Sequence, residues 1–67
     1  MDVKKGDRIE LVEMGEDPRP IAPGERGTVI GVSRWNDQEY QVQVDWDNGR
    51  RLHLICPPDR YVVIKKA

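Results

Sequence analysis

His53 and Cys56, the single histidine and the single cysteine of this 67-residue sequence, are the side chains with the widest range of possible chemistry. Catalysis would need one of them to meet a nucleophile or a second base within hydrogen-bond reach. The alternation of their segment places the two on opposite faces of a strand, so the sequence brings no such pair together. We interpret His53 as a solvated or interface residue and Cys56 as a small core residue. No catalytic residue is predicted, and the chain is expected not to be an enzyme.

The side chains that bind metal ions are also too few to form a site. One cysteine and one histidine can form neither an internal disulfide nor a zinc site. Glu13, Glu16 and Asp17 flank a predicted loop, but their spacing does not match the ligand positions of a calcium loop. We interpret them as a solvated face, with a patch for basic partners as the alternative. No metal and no cofactor is predicted. A chain of this length is also expected to lack the volume for a pocket of about 300 Å³ or more, which is a further argument against an enzyme.

Three aromatic side chains are candidates for contacting a partner: Trp35, Trp46 and Tyr61. Trp35 falls in a predicted loop, where it would stack on a base or fill a pocket of a partner, or else fold back over one end of the domain. Trp46 is in phase with Val42 and Val44, which favours the core and leaves a partly exposed ring as the alternative. By analogy with small barrels that bind ligands near their first loop, Trp46 and Tyr61 are the best-placed rings.

Basic side chains form the second group of candidates. Arg50 and Arg51 follow a predicted turn, and His53 shares the outward face of Arg51. They could engage phosphates or an acidic partner, or they form an ordinary solvated face with pairs such as Asp45–Arg51, each worth no more than about 1 kcal/mol. A formal net charge of −1 argues against strong non-specific binding of nucleic acid. The other basic residues of this group are Arg34, Arg60, Lys65 and Lys66.

Short strands must position these candidates, because β-branched and aromatic residues alternate with Gly, Pro, Asn and Asp at short intervals. Residues 15–26 contain three prolines and are predicted to form a long first loop that ends in a type II turn at Pro23-Gly24. Reversed parity at Leu11-Val12 predicts a bulge or a bend in the first strand, and the glycine at position 31 predicts a bulge or a close approach of backbones in the second. The predicted strands are residues 7–14, 27–34, 39–46, 50–56 and 61–65.

The loop between the third and fourth strands determines their register, since opposed residues point to the same side of a sheet. A two-residue turn would set polar residues against apolar residues throughout. A three-residue loop over residues 47–49 pairs Val44 with Leu52, and it also sets the next inward residues of the two strands opposite each other. It places Gly49 in the left-handed region. We therefore predict the three-residue loop.

The elements together indicate one all-β domain over residues 1–67, a small five-stranded SH3-like barrel with a long first loop and a short 3₁₀ turn at residues 57–60 before the last strand. Nearly every apolar strand residue is needed for its core, so functional residues should lie in loops or on outward faces. No segment approaches the roughly 18 apolar residues of a membrane span. No membrane partner is predicted, and a cytoplasmic location is expected.

Three short motifs carry a resemblance to known proteins. Gly6-Asp7-Arg8, the segment Pro23-Gly24 followed by Gly27-Thr28-Val29, and Trp46-Asp47-Asn48-Gly49 followed by Leu52 resemble a small family of prokaryotic and phage-associated proteins of unknown function. That resemblance covers about the whole chain and implies no activity, since its recurring residues look structural. The Pro-Gly and Gly-Thr-Val segment also resembles KOW-type barrels of ribosomal and transcription-elongation proteins, which implies nucleic-acid or nucleoprotein partners.

Two non-enzymatic functions follow as expectations. The first is a binding or accessory module that docks a protein partner through the long first loop and the neighbouring aromatic residues. The second is a nucleic-acid or nucleoprotein-binding barrel that uses Trp35 and the face of Arg50 and Arg51.

Overall fold

The computed structural model describes residues 3–15 and 20–67, and its strands form a single antiparallel sheet. The strand order across the sheet is β4-β3-β2-β1-β5, and the described residues contain no helix. The predicted all-β domain of five strands is confirmed. The strands are β1 Arg8–Glu13, β2 Arg26–Arg34, β3 Tyr40–Trp46, β4 Leu54–Cys56 and β5 Arg60–Lys65.

Alternating side chains of these strands build the core. In β3 the apolar residues Val42, Val44 and Trp46 are buried, whereas the glutamines between them are half-buried on the other face. This is the two-residue period that a strand with one solvated face requires. The remaining buried apolar residues are Val3, Ile9, Leu11, Ile21, Val29, Leu54 and Cys56.

Bulges interrupt the ladders at three places. The register between β1 and β5 shifts between Arg8 and Ile9 and again between Leu11 and Glu13. The register between β2 and β3 shifts between Val29 and Gly31. Each bulge inserts one extra residue and so reverses the parity of the side chains beyond it. The bulges predicted near Leu11-Val12 and at Gly31 are confirmed.

The hairpin between β3 and β4 has the predicted three-residue loop. Asp45 bridges to Arg51 and Val42 pairs with Leu54, which is the register that places Val44 opposite Leu52. Gly49 has a φ of 90° and donates its N–H to the carbonyl oxygen of Trp46 at 2.9 Å.

Strand β4 is shorter than predicted, because it begins at Leu54 and not at position 50. The indole Nε1 of Trp46 donates a hydrogen bond to the carbonyl oxygen of Leu52 at 2.8 Å. That carbonyl is therefore satisfied by a side chain outside the strand ladder. Toward the turn, the pairing continues as the Asp45–Arg51 bridge and as a hydrogen bond from the N–H of Trp46 to the carbonyl oxygen of Arg50 at 3.0 Å.

The turn before the last strand differs from the predicted 3₁₀ turn. Residues 57 and 58 form a hydrogen-bonded turn in which both Cys56–Pro57 and Pro57–Pro58 are cis. A 3₁₀ turn here would pair the N–H of Asp59 with the carbonyl oxygen of Cys56, three residues earlier. That N–H bonds instead to the carbonyl oxygen of Ile55, four residues earlier, at 3.0 Å.

The long first loop returns to the core before β2 begins. Gly24 has a φ of 90°, as the predicted turn requires, and Glu25 donates to the carbonyl oxygen of Ala22 at 3.1 Å across that turn. Ile21 is fully buried, so this part of the loop contributes to the core. Residues 16–19 of the predicted loop lie outside the described residues.

The sheet is curled, so that strands far apart in its order come together. Strands β3 and β5 would be three strand spacings apart in a flat sheet, roughly 14 Å. The hydroxyl oxygens of Tyr40 in β3 and Tyr61 in β5 are nevertheless only 3.0 Å apart. This curvature places β5 and the end of β4 around one shared groove.

Candidate functional site

An open groove lies beside the turn that joins β4 to β5, and Tyr40 and Tyr61 form part of its wall. Its volume is about 660 Å³, within the range of natural ligand sites. The expectation that the chain has no room for a pocket of about 300 Å³ was wrong, because the curled sheet leaves this space outside the core. We call it the tyrosine groove; its other lining residues are Val3, Cys56, Pro57, Asp59, Arg60 and Val63.

A buried carboxylate organises the groove. Asp59 is 8% exposed, and its Oδ1 accepts the N–H of Gly15 at 2.6 Å while its Oδ2 accepts the N–H of Ile55 at 2.9 Å. One side chain therefore ties the start of the long first loop to β4 and to the turn after it. Charge-assisted hydrogen bonds of this kind are shorter and stronger than neutral ones, so the groove wall is held in one arrangement.

Trp35 lies in the hairpin loop between β2 and β3, directly after the last residue of β2. Its side chain is 57% exposed, and its N–H donates to the carbonyl oxygen of Glu39 at 3.0 Å. Asn36 shapes this loop by accepting the N–H groups of Gln38 and Glu39, each at 2.8 Å. The ring is therefore available to solvent and contributes little to the core.

Arg34 and Tyr40 connect the hairpin loop with the groove. They are paired at the ends of β2 and β3, and both line a smaller cleft of about 160 Å³ over the loop. Tyr40 also lines the tyrosine groove, so one residue borders both spaces. In this region, Tyr61 lines the tyrosine groove and Arg34 lines the smaller cleft, whereas Trp35 follows Arg34 in the hairpin loop and lines neither space.

Trp46 does not belong to that region. It is 2% exposed, and its indole N–H is already bonded to the carbonyl oxygen of Leu52. The interpretation of Trp46 as a core residue is confirmed, and its place among the partner-binding residues was wrong. Its phase with Val42 and Val44 aligns it with the buried face all along β3.

Arg50, Arg51 and His53 lie toward the other end of β3. Seven residues of strand separate the two hairpin loops, which corresponds to roughly 20 Å. The Nη1 of Arg50 donates to the carbonyl oxygen of Pro20 at 3.4 Å, and Arg51 lies 3.8 Å from Asp45, as the sequence predicted. His53 is exposed. The candidate residues therefore divide between two ends of the sheet.

Residues 2–64 match DUF4314, a domain of unknown function. The chain belongs to this family. No curated protein and no solved structure gives a significant match. The DUF4314 match covers the hairpin loop, the tyrosine groove and the arginines after the β3–β4 turn. The predicted membership of a small family of unknown function is thereby confirmed, and the family assignment carries no activity across to this site.

The cysteine of this DUF4314 domain is a core residue, as predicted. Burial is the main reason that the pKa of the Cys56 thiol rises to about 11, and the neighbouring charge of Asp59 acts in the same direction. A thiol with such a pKa has almost no thiolate near neutral pH and is a poor nucleophile. Although Cys56 lines the tyrosine groove, it offers apolar surface there.

Acidic side chains of the described DUF4314 residues form no cluster with cysteine or histidine that could hold a metal ion. Glu13 instead lies 3.6 Å from Arg60, and both side chains are exposed. Glu16 and Asp17, which were grouped with Glu13, lie outside the described residues. No helix among the described residues is long and apolar enough to cross a membrane.

The most informative residues of the groove were not recognised in the sequence. Tyr40 has the period of a core residue, and its position at the end of β3 is what exposes its edge to the groove. Asp59 follows two prolines and resembles an ordinary turn residue, since Asp commonly bonds to nearby backbone. One of its two partners, Gly15, is 44 residues away, and no local pattern reports such a contact.

Proposed function

We propose that this DUF4314 domain is a non-catalytic binding module that docks an extended segment of a partner protein in the tyrosine groove. One observation carries the proposal: a groove of about 660 Å³ has two tyrosines in its wall, and one of them, Tyr40, directly follows the hairpin loop that contains the exposed Trp35. A domain of this size needs most of its apolar residues for packing, and the core does not require aromatic rings around an open groove.

The residue types of this region favour a protein partner. Tyrosine, tryptophan and arginine are enriched at protein interfaces, where large rings contribute area and hydroxyls orient the partner. Tyr40 and Tyr61 provide that combination, Pro57 adds an apolar surface, and Arg60 lies at the rim. A partner side chain would be held against apolar surface while its backbone bonds to the phenolic groups.

Rigidity of the groove supports the proposal in a second way. Asp59 holds both Gly15 and Ile55, so these two points of the groove wall need not be ordered when a partner binds. Pre-ordered walls reduce the entropy that association costs. The proposal differs from the sequence-based expectation in one respect, since it uses the long first loop only through Gly15, which bonds to Asp59.

Selection of peptides on the purified domain tests this function. Peptides are selected on the native chain from a random displayed library. They should bind the Tyr61→Ala and Trp35→Ala variants at least about tenfold more weakly. This loss corresponds to about 1.4 kcal/mol or more of binding free energy, as expected when an anchor residue of an interface is truncated. His53→Ala is the matched control, since His53 is exposed at the other end of the sheet, and it should leave binding unchanged.

Stability must be measured on the same variants. Trp35→Ala should change the free energy of unfolding by no more than about 0.5 kcal/mol, because the ring is largely exposed. A library that yields no binder, or binders that are sensitive to His53→Ala but not to Tyr61→Ala, would contradict the groove as the docking site.

A nucleic-acid or nucleoprotein-binding function through Trp35, Arg50 and Arg51 is the second candidate. The observation in its favour is that Trp35 and Arg51 are exposed, so a ring for stacking and a cation for phosphate are both accessible. A ligand would have to extend along β3, roughly 20 Å, to contact both. Arg50→Ala combined with Arg51→Ala should weaken its binding and reduce its salt dependence.

We also infer a finer fold and setting for this domain. The meander order β4-β3-β2-β1-β5, with a long first loop between β1 and β2, supports an SH3-like barrel. The motif resemblance supports a prokaryotic or phage-associated, cytoplasmic setting. An experimental structure determination would test the barrel, and localisation of a tagged full-length protein would test the compartment.

A further inference from the structure

A second buried carboxylate, that of Asp7, joins the two end segments of the described chain. Asp7 is fully buried; its Oδ1 accepts the N–H of Ala67 at 2.8 Å and its Oδ2 accepts the N–H of Lys4 at 3.0 Å. The ammonium of Lys66 lies 3.8 Å from the same Oδ2. Gly6 permits the approach, since it has a φ of 95° and a Cβ there would lie 2.9 Å from that of Ala67.

This junction brings two pairs of lysines together. Lys4 and Lys5 precede Asp7, Lys65 and Lys66 precede Ala67, and all four side chains are exposed. We call these four residues the lysine cluster. The hydrogen bond to Ala67 is the main cause of the lowered pKa of Asp7, and the charges of Lys66 and Lys4 lower that pKa further, so Asp7 remains ionised near neutral pH.

The lysine cluster is the basic pole of an otherwise acidic domain. The whole chain has a formal net charge of −1 and the cluster contributes four positive charges, so the remaining residues carry −5. Within the described part of the chain, Lys4, Lys5 and Lys65 form no ion pair with a carboxylate. An anionic partner would therefore be drawn to this end more than to the rest of the domain taken together, which favours one orientation of the domain.

From this junction we propose that the lysine cluster binds the phosphate backbone of nucleic acid, independently of sequence. The proposal is independent of the tyrosine groove and uses a surface different from that of Arg50 and Arg51. Lysine is a point charge without the fixed fork of arginine, and it positions phosphates without reading bases.

A phosphate backbone suits the cluster better than an acidic protein does. Specific affinity for a protein segment usually depends on a buried anchor in a pocket, and no residue of the cluster lines the tyrosine groove or the smaller cleft over the hairpin loop. Binding to a phosphate backbone needs no such anchor, because its free energy comes largely from release of condensed counterions by a few cations.

The test measures binding of a short fluorescent DNA duplex by anisotropy between about 50 and 200 mM salt. The test variant carries Lys4→Gln, Lys5→Gln and Lys65→Gln and keeps Lys66, which pairs with Asp7. The matched control carries Arg34→Gln, Arg50→Gln and Arg51→Gln, so both triple variants move the formal net charge from −1 to −4. Urea unfolding verifies that each variant is folded.

The native chain should bind the duplex. In the lysine variant, the slope of log affinity against log salt should fall by about 2 to 3, because each phosphate that a lysine no longer neutralises removes roughly 0.9 from the slope. The arginine variant should retain the larger part of the slope of the native chain. Equal reductions in both variants would mean that net charge alone acts, and would overturn the proposal. A reduction confined to the arginine variant would overturn it in favour of the Arg50 and Arg51 face.

Two further probes cover the other anionic partners. A polyglutamate peptide and vesicles containing phosphatidylserine should bind more weakly than the duplex at the same salt concentration. Preference for either, or no binding of the duplex at low salt, would also overturn the proposal. None of these outcomes bears on the tyrosine groove, whose peptide ligands are tested separately.

Discussion

At the scale of single residues, two buried aspartates do more to define this domain than its histidine or its cysteine. Asp7 and Asp59 each accept backbone N–H groups from distant parts of the chain, 60 and 44 residues away. A buried carboxylate is tolerated when such donors satisfy it. The sequence predicted Trp46 and Cys56 correctly as core residues because their strand phase is local information. It could not predict the aspartates, whose partners are defined only by the folded chain.

Asp7 should make the stability of the domain depend on pH in acid. The hydrogen bond from Ala67 is the main cause that lowers its pKa below the ordinary value of 3.8, with burial acting in the opposite direction. A carboxyl with a depressed folded pKa stabilises the protein above its unfolded pKa, and this stabilisation is lost as the pH falls through the folded pKa. Asp7→Asn removes the titration and should destabilise the domain at neutral pH.

Urea unfolding of the native chain and of Asp7→Asn, measured from neutral pH down to about pH 3, isolates this contribution. The difference between the two free energies of unfolding should be largest at neutral pH and shrink below about pH 4, as Asp7 of the native chain takes up its proton. Asp37→Asn, in the exposed hairpin loop, serves as the control with the same chemical change. A difference that stays constant with pH would show that Asp7 contributes only through packing.

At the scale of elements, the alternation of apolar and polar residues predicted the pairing of strands in the sheet more accurately than it predicted where the strands end. The pairing of β3 with β4 followed from placing apolar residues opposite one another, and the three-residue loop followed from that pairing. The length of β4 could not be predicted in the same way, because the indole N–H of Trp46 bonds to the carbonyl oxygen of Leu52 across the hairpin. The 3₁₀ turn predicted at residues 57–60 did not form either, because the N–H of Asp59 bonds to the carbonyl oxygen of Ile55, four residues earlier and not three.

Gly49 should be the most sensitive position of the β3–β4 loop. Its φ of 90° disfavours any residue with a Cβ, although no other atom lies within 4 Å of the site where a Cβ would stand. Gly49→Ala should therefore lower the free energy of unfolding by about 1–2 kcal/mol through backbone strain alone.

Asparagine tolerates positive φ better than alanine does, so Gly49→Asn is the informative comparison. Chemical denaturation should rank the native chain first, Gly49→Asn second and Gly49→Ala third. Equal destabilisation in both variants would indicate that the loop rearranges, and would contradict the left-handed conformation as the source of the cost.

At the scale of the whole molecule, a few polar contacts between distant strands keep the single sheet curled. Arg8 donates to both carboxylate oxygens of Asp47, at 2.7 and 2.6 Å, and so ties β1 to the β3–β4 loop. The Tyr40–Tyr61 hydrogen bond links β3 to β5 on the groove side. Nothing in the alternation of single strands predicts either contact, since both depend on how far the sheet curls. The candidate site shares this dependence, because the tyrosine groove exists only where the ends of the curled sheet approach.

The hydrogen bond between Tyr40 and Tyr61 should therefore connect stability with the shape of the groove. A double-mutant cycle with Tyr40→Phe, Tyr61→Phe and the double variant keeps both rings and removes only the hydroxyls. The coupling free energy of unfolding should be about 0.5–1.5 kcal/mol, the usual net value of a hydrogen bond. Ser33→Ala paired with Tyr61→Phe serves as the control cycle, and it should show no coupling, since Ser33 bonds to Gln41 on the outward face. Coupling near zero for the tyrosine pair would mean that water replaces the bond without cost and that packing alone keeps the sheet curled.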